Sequence, residues 1–171
     1  MKQPVNEFSR PLQVDRVPNL GSHDRISADE KELVALAKRL GVQNLFSVNA
    51  FLKSAPWRGG GLKITGTVEA ELEQLSVISL EPFRTKLKFE IERFFLAPRE
   101  TTPENDEDAD VIEQGIVDLG EITAESLALE IDPYPKKPGE VFAGPNDDTD
   151  AAPEKVSPFT ALSKLKPSSE A

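Results

Sequence analysis

The residue types that most often carry chemistry are sparse in this 171-residue chain, which has one histidine and no cysteine. His23 lies in the polar stretch GSHDR, without HExxH or any other metal-ligand spacing around it, so we interpret it as a surface histidine. Without cysteine the chain has no disulfide, no thiolate metal ligand and no cysteine nucleophile. Neither residue type therefore indicates a catalytic or metal site.

Phosphate loops and paired carboxylates are the next candidates for chemistry. The chain has no Walker loop and no GxGxxG motif, and residues 59–61, GGG, precede a strand-like segment instead of the helix N-terminus that binds phosphate. The acidic residues lie in a run that composition predicts to be disordered, where carboxylates cannot be held in catalytic geometry; they are Asp106, Glu107, Asp108 and Asp110. We therefore expect no enzyme activity and no cofactor.

Basic side chains on the predicted strands could contact the phosphates of RNA. The candidates are Lys53, Arg58, Lys63, Arg84, Lys86 and Lys88. Trp57 and Tyr134 are isolated aromatic residues and do not form the interleaved basic and aromatic pattern of a single-strand stacking platform. RNA binding by the basic residues is one hypothesis, and pairing of their charges within a sheet is the other.

An antiparallel register supports the second hypothesis. If Glu73 lies opposite Arg84, then Glu71 meets Lys86 and Glu69 meets Lys88, while apolar residues meet on the other face. The apolar pairs are Ala70 with Leu87, Val68 with Phe89 and Gly66 with Ile91. Since one register satisfies both faces, it is strongly specified.

Charge is distributed unevenly around a formal net charge of −10. Residues 1–99 contain 15 Lys and Arg against 12 Asp and Glu, whereas residues 100–171 contain 5 against 18. The acidic half repels phosphate backbones at long range, so basic proteins are expected partners. Alternatively, the acidic segment only keeps the protein in solution.

The first half of the chain predicts an edge strand, a helix and three strands. Residues 4–14 are bounded by proline and form the edge strand. The helix begins with Ser27 as N-cap and Glu30 completing a capping box, and it ends at Gly41. Residues 44–55, 62–72 and 83–96 alternate as strands of an antiparallel meander. Residues 59–61 form the first turn, and residues 74–83, QLSVISLEPF, form a wide connection because Val77-Ile78 resists a tight hairpin.

The second half predicts a loop, a short strand, a helix and a tail. Residues 97–115 form an acidic mobile loop, and residues 116–119 a short strand. A helix follows, with Asp118 as N-cap and Glu121 completing a capping box, and it ends before Pro133. Its predicted apolar residues are Ile122, Leu127, Leu129 and Ile131. Residues 134–138 leave the domain in an extended path.

The tail is predicted to be disordered over residues 139–156 and then to form a short helical motif over 157–166, SPFTALSKLK. Phe159, Leu162 and Leu165 lie on one side of that motif, which makes it a candidate for binding in a partner's groove. The alternative is that the tail docks on its own domain.

The predicted fold is an α+β domain over residues 1–138, an antiparallel β meander with two packed helices. No secretory signal and no stretch long enough to span a membrane is present, so we expect a cytoplasmic protein that does not bind membranes.

Three stretches in order resemble the YceD family of bacterial proteins: residues 76–83, SVISLEPF; residues 118–138, DLGEITAESLALEIDPYPKKP; and residues 157–166. The first is similar to the family's C-x-x-C-L-x-P turn, with Ser76 and Ser79 at the positions of the two cysteines. Two thiolates at that spacing could form half of a zinc site or a redox pair, whereas two serines do neither. The resemblance therefore implies a family member without metal at this turn.

The family resemblance implies a role in accumulation or maturation of large-subunit (23S) ribosomal RNA, without catalytic residues to carry over. The acidic segment and the apolar-basic terminus favour a non-catalytic adaptor that holds ribosomal proteins or assembly factors, with rRNA as a further candidate partner. Direct RNA binding by the six basic residues is the alternative. An RNA-processing enzyme would need a residue set that the sequence does not contain.

Overall fold

In a computed structural model of the protein, residues 6–98 and 109–142 are described. Seven strands and two α-helices occur in these residues: β1 (Pro11–Gln13), β2 (Ser22–Ser27), α1 (Glu30–Leu40), β3 (Asn44–Trp57), β4 (Gly61–Leu75), β5 (Pro82–Leu96), β6 (Ala109–Val111), β7 (Ile116–Asp118) and α2 (Leu119–Glu130). A single 3-10 turn, Val14–Arg16, follows β1. The predicted α+β class is confirmed. The described residues up to Glu140 belong to one compact unit, and a second unit begins at Val141.

Strands β2 to β6 form a five-stranded sheet in the order β2-β3-β4-β5-β6, and β3, β4 and β5 are its long antiparallel meander. The predicted register between β4 and β5 is confirmed, with Glu73 opposite Arg84 and Glu69 opposite Lys88. The turn predicted at residues 59–61 is confirmed for Gly59 and Gly60, which both have positive φ, whereas Gly61 begins β4. Alternation of apolar and charged residues thus fixed which side chains share a face.

One face of this sheet forms the hydrophobic core together with both helices. Leu36 of α1 and Leu127 of α2 are fully buried in the same cluster as the inward residues of β3 and β4. The inward residues are Val48, Ala50, Leu52, Leu62, Ile64, Val68, Ala70 and Leu72. Apolar burial on this scale is the main favourable contribution to folding. The helices thus occupy one side of the sheet, and the charged alternate residues of the strands face the other.

Helix α1 begins two residues later than the sequence predicted. Its N-cap is Asp29, whose carboxylate accepts a hydrogen bond from Glu32 N at 2.9 Å. The Glu32 carboxylate in turn accepts one from Asp29 N at 2.8 Å, which completes a capping box. The predicted N-cap, Ser27, is wrong because this residue ends β2 and pairs with Asn49 of β3. The predicted end is correct, since Gly41 adopts the left-handed conformation with φ of 69°.

The structure corrects the predictions for the edge strand, for β2 and for the acidic loop. Of the described residues 6–14 of the predicted edge strand, only Pro11–Gln13 forms a strand, and it pairs with β7 outside the main sheet. Strand β2 was not predicted. Part of the predicted acidic loop is structured, because Ala109–Val111 pairs with β5 and Ile112 is buried. Arg93 holds this part through Asp110 at 2.5 Å.

Helix α2 begins at the predicted N-cap, Asp118, and buries two of its four predicted apolar residues. Leu129 is 84% exposed, and Ile131 is only half-buried. The buried face instead includes Leu119, Thr123 and Ala124, together with the predicted Ile122 and Leu127. Glu121 does not complete a capping box; it pairs with Arg39 of α1 at 2.5 Å.

Asp118 also ties the N-terminal segment to α2. Its carboxylate accepts from Ser9 Oγ at 2.5 Å, Arg10 N at 2.6 Å and Gly120 N at 3.0 Å. Burial alone would raise the pKa of Asp118, but these hydrogen bonds to the charged form outweigh burial and lower the pKa below its usual value. Arg10 continues the connection to α1 through two hydrogen bonds to the Glu32 carboxylate.

Candidate functional site

The connection between β4 and β5, residues 76–81, is organised around the fully buried Ser76, and we call it the serine knuckle. Ser76 N donates to Glu81 O and Leu80 N donates to Ser76 O, both at 2.9 Å. Ser76 Oγ accepts from Ile78 N at 3.1 Å. The predicted wide connection is confirmed, and the positive φ that its closure requires falls on Leu80, at 58°.

The segment after α2 returns to the serine knuckle. Val77 N donates to Pro135 O at 2.9 Å, and Lys137 Nζ pairs with Glu81 at 2.8 Å. The prediction that residues 134–138 leave the domain is therefore wrong. The reason is that the knuckle has a backbone donor, Val77 N, for the carbonyl group of Pro135 and a carboxylate, Glu81, for the ammonium group of Lys137.

Glu140 completes this contact. Its carboxylate accepts a hydrogen bond from Ser76 Oγ and another from Lys137 N at 3.2 Å. Hydrogen bonds from Ser76 and Ser79 are the main cause of a Glu140 pKa below its usual value. A depressed folded-state pKa means that this contact is fully formed above the unfolded pKa and weakens as the pH falls through the folded value.

The two serines thus hold a carboxylate from the same compact unit. Within residues 6–98 and 109–142, no group of three or more His, Cys, Asp or Glu side chains could hold a metal ion. Hydroxyl groups are poor zinc ligands compared with thiolates.

Addition of zinc to the purified protein is accordingly predicted to leave its melting temperature unchanged. Differential scanning calorimetry with one equivalent of zinc, compared with magnesium as a control, measures this. A zinc-specific rise in melting temperature would contradict the prediction, because a ligand that binds only the folded state must stabilise it.

On the side of the sheet opposite α1 and α2, the described residues leave a face uncovered, which we call the open face. It carries five of the six predicted basic residues, and Arg58 lies in the turn between β3 and β4. Three of the six are engaged in cross-strand ion pairs: Lys63 with Glu92, Arg84 with Glu71 at 3.8 Å and Lys88 with Glu69 at 2.7 Å. The Lys88–Glu69 pair also raises the pKa of Lys88 above its usual value. These contacts support pairing of the basic residues within the sheet at these three positions. The predicted basic residues do not converge on a single site.

Aromatic rings also lie on the open face, each next to a cation. The Arg84 guanidinium lies 3.9 Å from the Phe46 ring centroid, and the Lys63 ammonium lies 4.9 Å from that of Phe94. Arg58 lies 4.7 Å from the Trp57 centroid, and Trp57 contacts Phe94 with ring centroids 4.8 Å apart. The prediction that Trp57 is isolated is therefore wrong. Tyr134, which is 72% exposed, lies on the segment that returns to the serine knuckle.

One corner of the open face, where β2 meets β3, differs from the rest. Arg25 of β2 is paired with Phe51 of β3, and His23 with Lys53. The Arg25 guanidinium lies 4.8 Å from the Phe51 ring centroid, and Phe51 remains 43% exposed. We call these four residues the basic corner. They border a depression of about 290 Å³ that Asp24, Leu52, Thr65 and Gly66 also line.

Sequence reasoning found only Lys53 of the basic corner as a candidate for binding. Arg25 and Phe51 were missed because β2 was not predicted, and the pairing that brings them together connects positions 26 residues apart. The prediction of a surface histidine is confirmed, since His23 is exposed. An available signal was the alternation of His23, Arg25 and Ser27 with the buried Ile26.

The partner-binding residues predicted in the tail, Phe159, Leu162 and Leu165, lie outside the described residues. No helix in the described part of the chain is long and apolar enough to cross a membrane.

A family model described as large ribosomal RNA subunit accumulation protein YceD matches residues 64–166, more than half of the chain. The match begins within β4 and includes the serine knuckle, α2 and the predicted tail motif, whereas the basic corner residues His23, Arg25, Phe51 and Lys53 precede it. No curated protein and no solved structure matches the chain.

Proposed function

We propose that this chain, which belongs to the large ribosomal RNA subunit accumulation protein YceD family, is a non-catalytic cytoplasmic factor that supports accumulation or maturation of 23S rRNA by binding ribosomal proteins or assembly factors. Family membership carries the link to large-subunit rRNA. The non-catalytic role and the protein partners are inferences from this chain's own residues.

The observation that carries the protein-binding role is the charge of the chain beyond the meander. Residues 100–171 contain 18 acidic against 5 basic residues, and most ribosomal proteins that contact rRNA must be basic to neutralise phosphate. An acidic segment attracts such a protein before it reaches its RNA site. The apolar residues Phe159, Leu162 and Leu165 then supply contact area that charge alone does not.

Three carboxylates of the described residues form structural contacts, which supports a binding role and not a catalytic one. Asp118 caps α2, Glu32 binds Arg10, and Glu140 accepts from the serine knuckle. A catalytic acid or base must be free to exchange a proton with a substrate and is usually tuned toward the working pH. Depressed pKa values at all three positions are instead the property of carboxylates held in their charged form.

Replacement of Phe159 and Leu162 with alanine is expected to abolish partner recovery without unfolding the compact unit that ends at Glu140. The full chain, tagged, is used to recover proteins from a bacterial lysate, and large-subunit ribosomal proteins and assembly factors are quantified by mass spectrometry. Thr160→Ala with Ser163→Ala is the matched control, since it changes two polar residues of the same motif. Equal recovery by the two double variants would contradict the role of the apolar residues, and turnover of precursor rRNA by nuclease-free protein would contradict the non-catalytic assignment.

A further inference from the structure

We propose that the basic corner binds single-stranded RNA, with Arg25 and Phe51 stacking a base and Lys53 contacting a phosphate. This inference rests on the proposed role in large-subunit rRNA accumulation for the identity of the nucleic acid. The site itself rests on the placement of these side chains. It differs from the six-residue RNA site predicted from the sequence, of which only Lys53 remains.

The geometry places a stacking surface beside two cationic side chains. Arg25 and Phe51 lie opposite each other on neighbouring strands, and Lys53 lies two residues along β3 on the same face, opposite His23. Bases of single-stranded RNA stack on aromatic rings and on the planes of arginine guanidinium groups. With the Arg25 guanidinium 4.8 Å from the Phe51 centroid, the pair presents both kinds of surface at one position.

Charge distinguishes this corner from the part of the open face where lysine and arginine are paired with glutamate. Lys63, Arg84 and Lys88 each have a glutamate partner, which offsets their attraction for phosphate. In the described ranges, neither Arg25 nor Lys53 has a carboxylate within ion-pair distance. Asp24 is the acidic residue that lines the depression, and its carboxylate accepts from Ser22 Oγ at 3.2 Å. The local excess of positive charge therefore complements a phosphate backbone.

Shape favours a single strand over a duplex. The depression has a volume of about 290 Å³, which is near the lower limit of roughly 300 Å³ for ligand pockets. Such a site accommodates one or two unstacked bases. Duplex RNA conceals its base faces and would present only phosphate and ribose to this corner.

Binding is measured by fluorescence anisotropy of the full chain with a 12-nucleotide single-stranded RNA of mixed sequence, and with the duplex of the same sequence. The single strand is expected to bind more tightly. A contact with about two phosphates predicts that the logarithm of the affinity falls with the logarithm of salt concentration with a slope of roughly −1.4.

Phe51→Leu combined with Lys53→Ala is expected to weaken binding of the single strand at least about tenfold, because stacking on an aromatic side chain contributes roughly 1–3 kcal/mol per base. Lys88→Ala is the matched control, since it removes one lysine from the same face at a position paired with Glu69. It is expected to change affinity less than about twofold. Thermal melting of each variant verifies that the fold is retained.

Absence of binding to the single strand at low salt, or an equal loss in Lys88→Ala and in the corner variant, would overturn the RNA site. Loss of ribosomal-protein recovery by the corner variant with unchanged RNA affinity would also overturn it, because the corner would then bind protein. Failure of the proposed function is distinguishable: RNA binding would depend on the corner, but depletion of the protein would leave large-subunit rRNA unchanged.

Discussion

Asp118→Ala is expected to lower the free energy of unfolding by roughly 2–4 kcal/mol and the melting temperature by roughly 10 °C. The variant removes the N-cap of α2 and leaves Arg10 N without its acceptor at 2.6 Å. It also removes the acceptor of Ser9 Oγ at 2.5 Å, so the N-terminal segment loses its connection to the helix. Thermal and urea denaturation followed by circular dichroism measure the change.

Acidification supplies a second test of Asp118. Because its folded-state pKa is depressed, the stabilisation is fully present above the unfolded pKa of about 3.9 and is lost as the pH falls through the folded value. The difference in stability between the wild type and Asp118→Ala should therefore shrink below about pH 4. Asp15→Ala, which removes an exposed aspartate, should change stability by less than about 0.5 kcal/mol. A variant as stable as the wild type at neutral pH would show that the network contributes nothing.

Gly66→Ala is expected to destabilise the protein by roughly 3 kcal/mol, because it adds a methyl group where β3 and β4 are in close contact. A Cβ at this position would overlap the carbonyl oxygen of Phe51 and lie 2.9 Å from Leu52 Cδ2. The backbone of β3 must shift to admit it, which disturbs the hydrogen bonds of the strand pair. Chemical denaturation measures the loss of stability.

The same substitution should change the basic corner, since Gly66 lines the depression beside Phe51. The matched control is Thr67→Ala, at the neighbouring position of β4 directly opposite Phe51, where the side chain lies on the open face and is only half-buried. This control is expected to cost less than about 1 kcal/mol. Stability of Gly66→Ala equal to that of Thr67→Ala would mean that the two strands are not held as closely as described.

The meander was predictable because its determinants are local. Alternation within residues 62–72 and 83–96 separates a core face from a charged face, and one antiparallel register pairs all the opposite charges at positions 69–73 and 84–88 while matching the apolar residues. The structure has that register. Gly41 and Asp118 were likewise predictable as helix ends, since capping depends on the chemistry of one residue and its immediate neighbours.

Contacts between distant positions were not predictable in the same way. Asp29 and not Ser27 caps α1 because Ser27 is used by a strand pair with Asn49. Residues 134–138 return to the domain because Val77 and Glu81 offer them partners that lie far away in sequence, and Ser76 offers a further partner to Glu140. The basic corner depends on the same kind of long-range pairing, so its residues lacked a recognisable motif.

The decisive measurement is the ratio of large- to small-subunit rRNA, with ribosomal subunit profiles, in cells depleted of this protein and rescued with wild-type protein or with protein that ends at Glu140. Our account predicts a selective loss of large-subunit rRNA on depletion, restored by the full chain and not by the shortened one. An unchanged ratio on depletion would contradict a role in large-subunit biogenesis, and full rescue by the shortened chain would contradict partner binding through Phe159, Leu162 and Leu165.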